Sequence, residues 1–400
     1  MTNAAILAVA GILLVAYLID IASRRFRLPS VVALIAVGML LRAALDAFGI
    51  HFGWVDPVVP IIGTLGLILI VLEGALDLEI RRERMRLIAK AFLSAFLGFA
   101  VCAVAFAALL HHMLGLDRYT ATLAALPFAV ISSAVAIPSA SRLAHQAREF
   151  VVYESSISDI LGVLVFYAWL ESGGSFMRFE LGLAAGVAAS LAVAAVAAAV
   201  LYGLLSRLEG HVRFVPLLAG IAFVYAAGKA MHLSPLVVVL GCGLLLNNPR
   251  ILHRVQLLAR LHTPEYDKAL AQFKGLVSEV TFAAKSFFFV LLGYWTDPHE
   301  MGEPRAWIIG GAMIVTIYLT RFALLLGLRQ PAADRLTWIA PRGLITVLLF
   351  LGATEAANLG AFPFGTVMLV VLATSVLIVH AARANRADVP TAVRPPESSG

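Results

Sequence analysis

The chain has 400 residues, 61% of them hydrophobic and only 14% charged, with a mean hydropathy of +0.93. Soluble domains are nearer half apolar and a quarter charged, so the composition excludes an ordinary soluble domain and describes an all-α polytopic membrane protein. The formal net charge of +6 follows from loop lysines and arginines, and no nucleic-acid patch is visible in it.

Thirteen apolar spans run near 4–22, 29–48, 57–76, 88–112, 119–143, 150–171, 179–206, 214–231, 234–247, 276–295, 306–328, 335–355 and 363–382. The first reads as a retained helix, because MTNAAILAVAGILLVAYLIDIASRRF has neither a basic n-region nor a small-residue cleavage site. The ninth is short and interrupted by GCG at 241–243, which predicts a tilted or partly unwound helix. The loop at 248–275 reads as an amphipathic surface segment, and the Pro/Ser-rich tail at 387–400 as disordered. Neither resembles a soluble domain, so no nucleotide-binding module is expected. Cys102 and Cys242 both fall in apolar spans and suit neither a disulfide framework nor a metal site.

Lysine and arginine set the expected topology. With the N-terminus outside, cytoplasmic segments collect 21 of the 30, and the external ones hold Arg42, Arg118, Arg178 and Arg305. That asymmetry places the C-terminus in the cytoplasm, in a multi-pass protein of the inner cell membrane.

Charges at mid-bilayer cost ~2.5–3.5 kcal/mol each on insertion scales, so those retained pair or line a pathway. The sixth span, VVYESSISDILGVLVFYAWLE, carries several polar groups. Counted from residue 150 at ~1.5 Å per residue, Asp159 lies near the midplane. Ser155 is one turn earlier on the same face, and Glu154 stacks with Ser158 in the same way. A carboxylate with a hydroxyl beneath it is a hard-oxygen environment, suited to a small alkali cation or a proton. The fifth span reads AVISSAVAIPSA, with Ser132 and Ser133 at mid-span and Pro138 beyond; the twelfth reads WIAPRGLITVLLF, with Pro341, Arg342 and Gly343 together. Unwound backbone inside a membrane is tolerated only where it lines a cavity or packs on protein. Taken as spans 1–6, a linker and spans 8–13, the two halves carry their broken helix at the same fifth position and insert with opposite orientation. That is the pattern of inverted-repeat secondary transporters.

The other intramembrane charges leave alternatives. Arg342 lies at a depth comparable to Glu154, and a Glu154–Arg342 pair would neutralise both and leave Asp159 uncompensated. Arg321 either snorkels to the nearby interface or serves the site. Lys285 pairs with Glu279 or stays free to titrate. Glu73 is a candidate for an ion entrance, while His111, His112 and His232 face water at external ends.

In this order, LPSVVALIAVGMLLR, LGLILIVLEGALDLEI, ISSAVAIP, YESSISD, HLSPLVVVLGCGLLLNN, KSFFFVLLG and APRGLITVLLF resemble the monovalent cation/proton antiporter superfamily, particularly its prokaryotic sodium/proton exchangers, from about residue 5 to 382. The resemblance implies that Asp159 is the ion- and proton-binding carboxylate and Ser155 a ligand. It implies Ser132 and Ser133 as backbone or hydroxyl ligands, Glu154 and Arg342 as a structural pair, and Arg321 as a basic residue near the site. Two positions depart from the family pattern: Ser133 stands where many relatives have an aspartate, and Ser158 where they have Asn or Asp. The implied fold has antiporter helices in a scaffold (1–86 and 211–300) that usually dimerises, a transporting core (87–171 and 301–386) and a linker helix (172–210).

The implied function is exchange of a monovalent cation, sodium or lithium first and potassium as the alternative, for a proton by alternating access. No cofactor is expected beyond the transported ions. The expected partners are the cation, the proton, the lipid bilayer and a second copy of the chain, with no nucleic acid and no nucleotide. With one titrating carboxylate the exchange is electroneutral, unless Lys285 carries a second proton. A membrane-embedded hydrolase would need a nucleophile–base or metal pair at mid-depth, and neither HExxH nor paired histidines occur there.

Overall fold

The computed structural model describes residues 2–26, 29–47, 55–80, 82–207, 214–231, 233–252, 264–360 and 362–383. Each of the thirteen spans has its helix: α1 (Thr2–Phe26), α2 (Ser30–Ala47), α3 (Val55–Asp77), α4 (Met85–Leu114), α6 (His145–Ser172), α7 (Phe176–Arg207), α8 (Val215–Ala230), α9 (Pro235–Asn247), α10 (Pro264–Trp295) and α11 (Pro304–Gly327), with α13 as Gly365–Leu377 continued by Val379–Arg383. Two helices are broken: α5 into α5a (Arg118–Ala129) and α5b (Ser133–Ser139), and α12 into α12a (Ala333–Thr337) and α12b (Leu344–Ala356).

Local chemistry sets the ends. Asp117 accepts the Tyr119 and Thr120 amides and starts α5a. Gly115 and Gly173, at φ 66° and 58°, close α4 and α6 in the left-handed conformation that glycine takes without strain. Prolines in the first turn open α8, α9 and α11, where their missing donor would be unused anyway.

The pattern of burial places the working part of the molecule. Among the described residues, seven helices are long and apolar enough to cross a membrane; 83% of the α5 span and 61% of the α6 span are buried inside the protein, against 17% for α7 and 22% for α2. The centre is therefore α5 and α6, packed against α4, with α12b against α5a and α11 against α4 and α13. A second group joins α10 to α2 and α3, and α9 to α3, α7 and α8, while α3 also touches α6 and α12b.

Two expectations are corrected here. The ninth span is not unwound: α9 is one continuous helix, and its glycines serve packing. A Cβ on Gly241 would come 2.6 Å from Ala194 Cβ of α7, and one on Gly243 2.6 Å from Ala75 Cβ of α3. The segment at 248–275 is not a surface loop throughout, since a one-turn helix (Pro249–Leu252) opens it and α10 already begins at Pro264. Residues 253–263 of that segment, His232 and the whole 387–400 tail lie outside the described residues.

Candidate functional site

The site is built where the two broken helices cross. Helix α5 stops at Ala129 and resumes at Ser133, and α12 stops at Thr337 and resumes at Leu344. Extended segments join the halves, and the Ser132 amide donates to Pro341 O at 2.9 Å, tying one break to the other. Gly343 allows this approach, because a Cβ there would sit 2.6 Å from Ser132 Oγ.

Breaking a helix in a membrane strands its backbone groups, and each needs a partner. Three successive amides of the α5 break find three different ones. Ile131 N–H donates to Ser158 Oγ (2.9 Å), Ser132 N–H to Pro341 O, and Ser133 N–H to Asp159 Oδ2 (3.2 Å). Carbonyls on both chains of the crossing are met by Arg342, whose Nε donates to Phe128 O of α5a (2.7 Å) and whose Nη1 donates to Ala340 O of the α12 break (2.8 Å). Its guanidinium thus sits at the carbonyl end of α5a, where a cation is favoured. The Arg342 amide is anchored on Thr374 Oγ1 of α13 (3.0 Å).

Asp159 is 6% exposed. The Ser133 hydroxyl also faces its carboxylate, while its second oxygen, Oδ1, is buried with no hydrogen-bond partner among the described residues. A narrow cleft between α3, α6 and α9 opens on this carboxylate, lined otherwise by Val71, Ile160, Val163, Leu236, Val237 and Leu240. An acid with one satisfied oxygen and one orphaned oxygen, in an apolar cleft, can take up a proton or a cation that supplies the missing partner. Ser155 lies one turn away and donates to Val151 O at 2.7 Å, which leaves its oxygen lone pairs free. The Ser132 and Ser156 hydroxyls are buried and unpartnered among the described residues.

The ion pairs differ from the expected ones. Glu154 does not meet Arg342. Its Oε1 and Oε2 accept Nη1 (2.9 Å) and Nη2 (2.7 Å) of Arg321, Ser94 Oγ donates to Oε1 at 2.6 Å, and Arg321 Nε donates to Leu336 O at 2.8 Å. Equal depth in the membrane did not make Arg342 a neighbour, because its guanidinium is committed to the carbonyls of the crossing. Arg321 does not snorkel either, since it is 6% exposed. Lys285 pairs with Glu73 of α3 at 2.8 Å, not with Glu279. Six residues on one helix put Glu279 and Lys285 on different faces, and Glu279 is exposed.

The crossing therefore gathers Asp159, Ser158, Ser132, Ser133 and Arg342, with Ser155 one turn off. Glu154 with Arg321, and Glu73 with Lys285, are separate pairs. Sequence reasoning missed Ser94 and Thr374; each is a small hydroxyl in a mostly apolar span, the one available signal. Among the described residues no three His, Cys, Asp or Glu side chains come together as a metal cluster.

A helical membrane bundle whose two broken helices cross beside a buried acid is an inverted-repeat secondary transporter. Residues 10–383 match the family described as "Sodium/hydrogen exchanger, transmembrane". The chain belongs to that family, within the monovalent cation/proton antiporter superfamily. Its fold is similar to that of the sodium proton antiporter MjNhaP1 from Methanocaldococcus jannaschii at pH 8, at 18% identity, covering 96% of this chain and 97% of that one with a TM-score of 0.73. A three-dimensional electron-microscopy structure of the same antiporter matches at 16% identity, 96% coverage of both chains and a TM-score of 0.68. No curated protein matches this chain by sequence.

Proposed function

We propose that this protein exchanges a monovalent cation, sodium or lithium in first place, for a proton by alternating access, and that Asp159 binds both. The observation that carries the reading is the half-satisfied carboxylate: one oxygen on the Ser133 amide, the other buried at the cleft and without a partner among the described residues. A carboxylate accepts a proton or a cation at that oxygen but not both, so occupancy by one requires release of the other. Ser155 and the Ser132–Ser133 segment supply neutral oxygens for the cation. Potassium is the second reading, supported by Ser133 in place of an acid, because fewer charged ligands favour a less strongly hydrated ion.

In this reading α4–α6 and α11–α13 form the transporting core, α1–α3 and α8–α10 a dimerising scaffold, and α7 the linker. The N-terminus lies outside the cell membrane and the C-terminus in the cytoplasm, and no cofactor takes part. One titrating carboxylate gives one-for-one, electroneutral exchange, since neither Arg321 nor Arg342 releases protons near neutral pH.

Purified protein in vesicles under an imposed pH gradient, with sodium, lithium and potassium compared, tests the reading. Exchange with at least one of the three, absent from protein-free vesicles, is expected. Recordings on solid-supported membranes should show no sustained current. A current that reverses with the ion gradient would overturn the single-carboxylate stoichiometry.

A further inference from the structure

Among the described residues, the crossing and the Glu154–Arg321 pair leave the intramembrane ion pair of Glu73 and Lys285 without a part in the exchange. Lys285 stands ten residues before the end of α10 at Trp295, about 15 Å along the helix axis and so about half the hydrocarbon thickness from an interface. Its Nζ donates to Glu73 Oε2 at 2.8 Å, with the side chains 21% and 22% exposed. Holding the fold does not require such a pair, because well-packed apolar side chains serve a membrane interior as well or better.

Its place suggests what it does. Helix α3 is wedged between α10 and α6: a Cβ on Gly66 would lie 3.8 Å from Ala284 Cβ, beside Lys285, and one on Gly74, beside Glu73, would lie 3.8 Å from Ser156 Oγ of α6. Val71, two residues before Glu73, lines the cleft on which Asp159 opens. Lys285 lies within electrostatic reach of the Asp159 carboxylate. Asp77, one turn further along α3, interacts with both members of the pair, and Lys274 of α10 interacts with Asp77.

We infer that the Glu73–Lys285 pair sets the cation affinity of Asp159: the Lys285 ammonium repels the transported cation from that carboxylate, and Glu73 offsets the repulsion. Lys285 is thus a specificity-determining residue that never touches the ion. The inference rests on Asp159 being the exchange site. Its signature is a pair of opposite effects. Removing the ammonium strengthens cation binding, removing the Glu73 charge weakens it, and removing both nearly restores the original affinity. A purely structural pair would give losses in the same direction.

The test measures the apparent KM for sodium at fixed pH in vesicles, and the sodium dependence of Tm in detergent, which reads affinity without transport. Lys285→Met should lower the KM by roughly tenfold, as expected for one unit charge acting across an interior of intermediate dielectric. Glu73→Gln should raise it by about the same factor, and Glu73→Asp, a milder change that loosens the ammonium, should raise it less. The double variant Glu73→Gln with Lys285→Met should fall close to the unmutated protein. Shifts of both single variants in one direction, or falls in kcat with KM unchanged, would overturn the inference. No exchange and no stabilisation of the unmutated protein with sodium, lithium or potassium would instead overturn the antiport reading beneath it.

Discussion

Glu154 and Asp159 lie five residues apart on α6, both carboxylates, both removed from water, and their surroundings are opposite. Glu154 has the full fork of Arg321 and the Ser94 hydroxyl, so both of its oxygens are occupied. Asp159 has the Ser133 backbone and hydroxyl on one side and an orphaned oxygen on the other. A buried polar atom left without a partner costs about 1–3 kcal/mol, and more if it is charged. A group that only holds the fold together would be expected to have its partners built in. In the antiport reading proposed above, the missing partner at Asp159 is the place the transported ion fills. Burial alone does not separate a structural acid from a functional one; the list of partners does.

The largest effect should come from the incomplete member. Asp159→Asn keeps the size of the side chain and removes the charge, so exchange should drop to the level of protein-free vesicles while Tm in detergent holds or rises. Retained sodium-driven proton flux in that variant would place the site elsewhere.

The complete member should show the reverse, a loss of stability. Breaking a buried pair on one side strands a charge, at about 3–5 kcal/mol, so Arg321→Met should melt well below the unmutated protein. Adding Glu154→Leu should recover much of the loss, because no buried charge then lacks a partner. Arg342→Ala combined with Glu154→Gln should be additive, since those two side chains do not meet. Coupling in the Arg342 cycle, and none in the Arg321 cycle, would reverse the assignment.

A smaller effect is expected at Ser158→Ala, which leaves the Ile131 amide at the α5 break without its acceptor. The loss should be about 1–3 kcal/mol, read by denaturation in detergent, and an unchanged midpoint would mean the amide finds another partner. The smallest comes from a carboxylate at the margin of the membrane. The Thr120 hydroxyl, with the Thr120 and Tyr119 amides, holds Asp117 below the ordinary carboxylate range. Its cap on α5a is therefore complete at neutral pH and fades as the pH falls through that depressed value. Asp117→Ala should cost about 0.5–2 kcal/mol at pH 7, and its melting curve should converge with that of the unmutated protein in acid.

How far the sequence could be read follows from what a one-dimensional pattern encodes. Hydropathy and length marked all thirteen helices, and Pro341 with Gly343 marked the second break, because these are properties of position along the chain. Asp159 was legible for the same reason, as an acid counted to mid-depth. The partner of Glu154 was not, since depth leaves open the direction in which a side chain points around its helix. Depth put Arg342 in reach and the family resemblance put Arg321 near the site, and only the packing of α11 beside α4 decides between them. The glycines of α9 misled in another way: Gly241 and Gly243 read as weak points of a helix, whereas close neighbours on α7 and α3 require them small.

The meeting of α2 and α10 has a mechanical consequence. A Cβ on Gly38 would run into Val290 O, and one on Gly293 into Ile35 O, so the two backbones touch with no side chain between them. Small residues at such a crossing let membrane helices approach as closely as they can. No rotamer is left to adjust there, and the joint has neither padding nor slack. The two helices behave as one girder, and a tilt imposed on either is passed to the other undamped. Lys285 is mounted on that girder, two turns from the joint, so its height in the bilayer is fixed by rigid main chain rather than by neighbours that can repack.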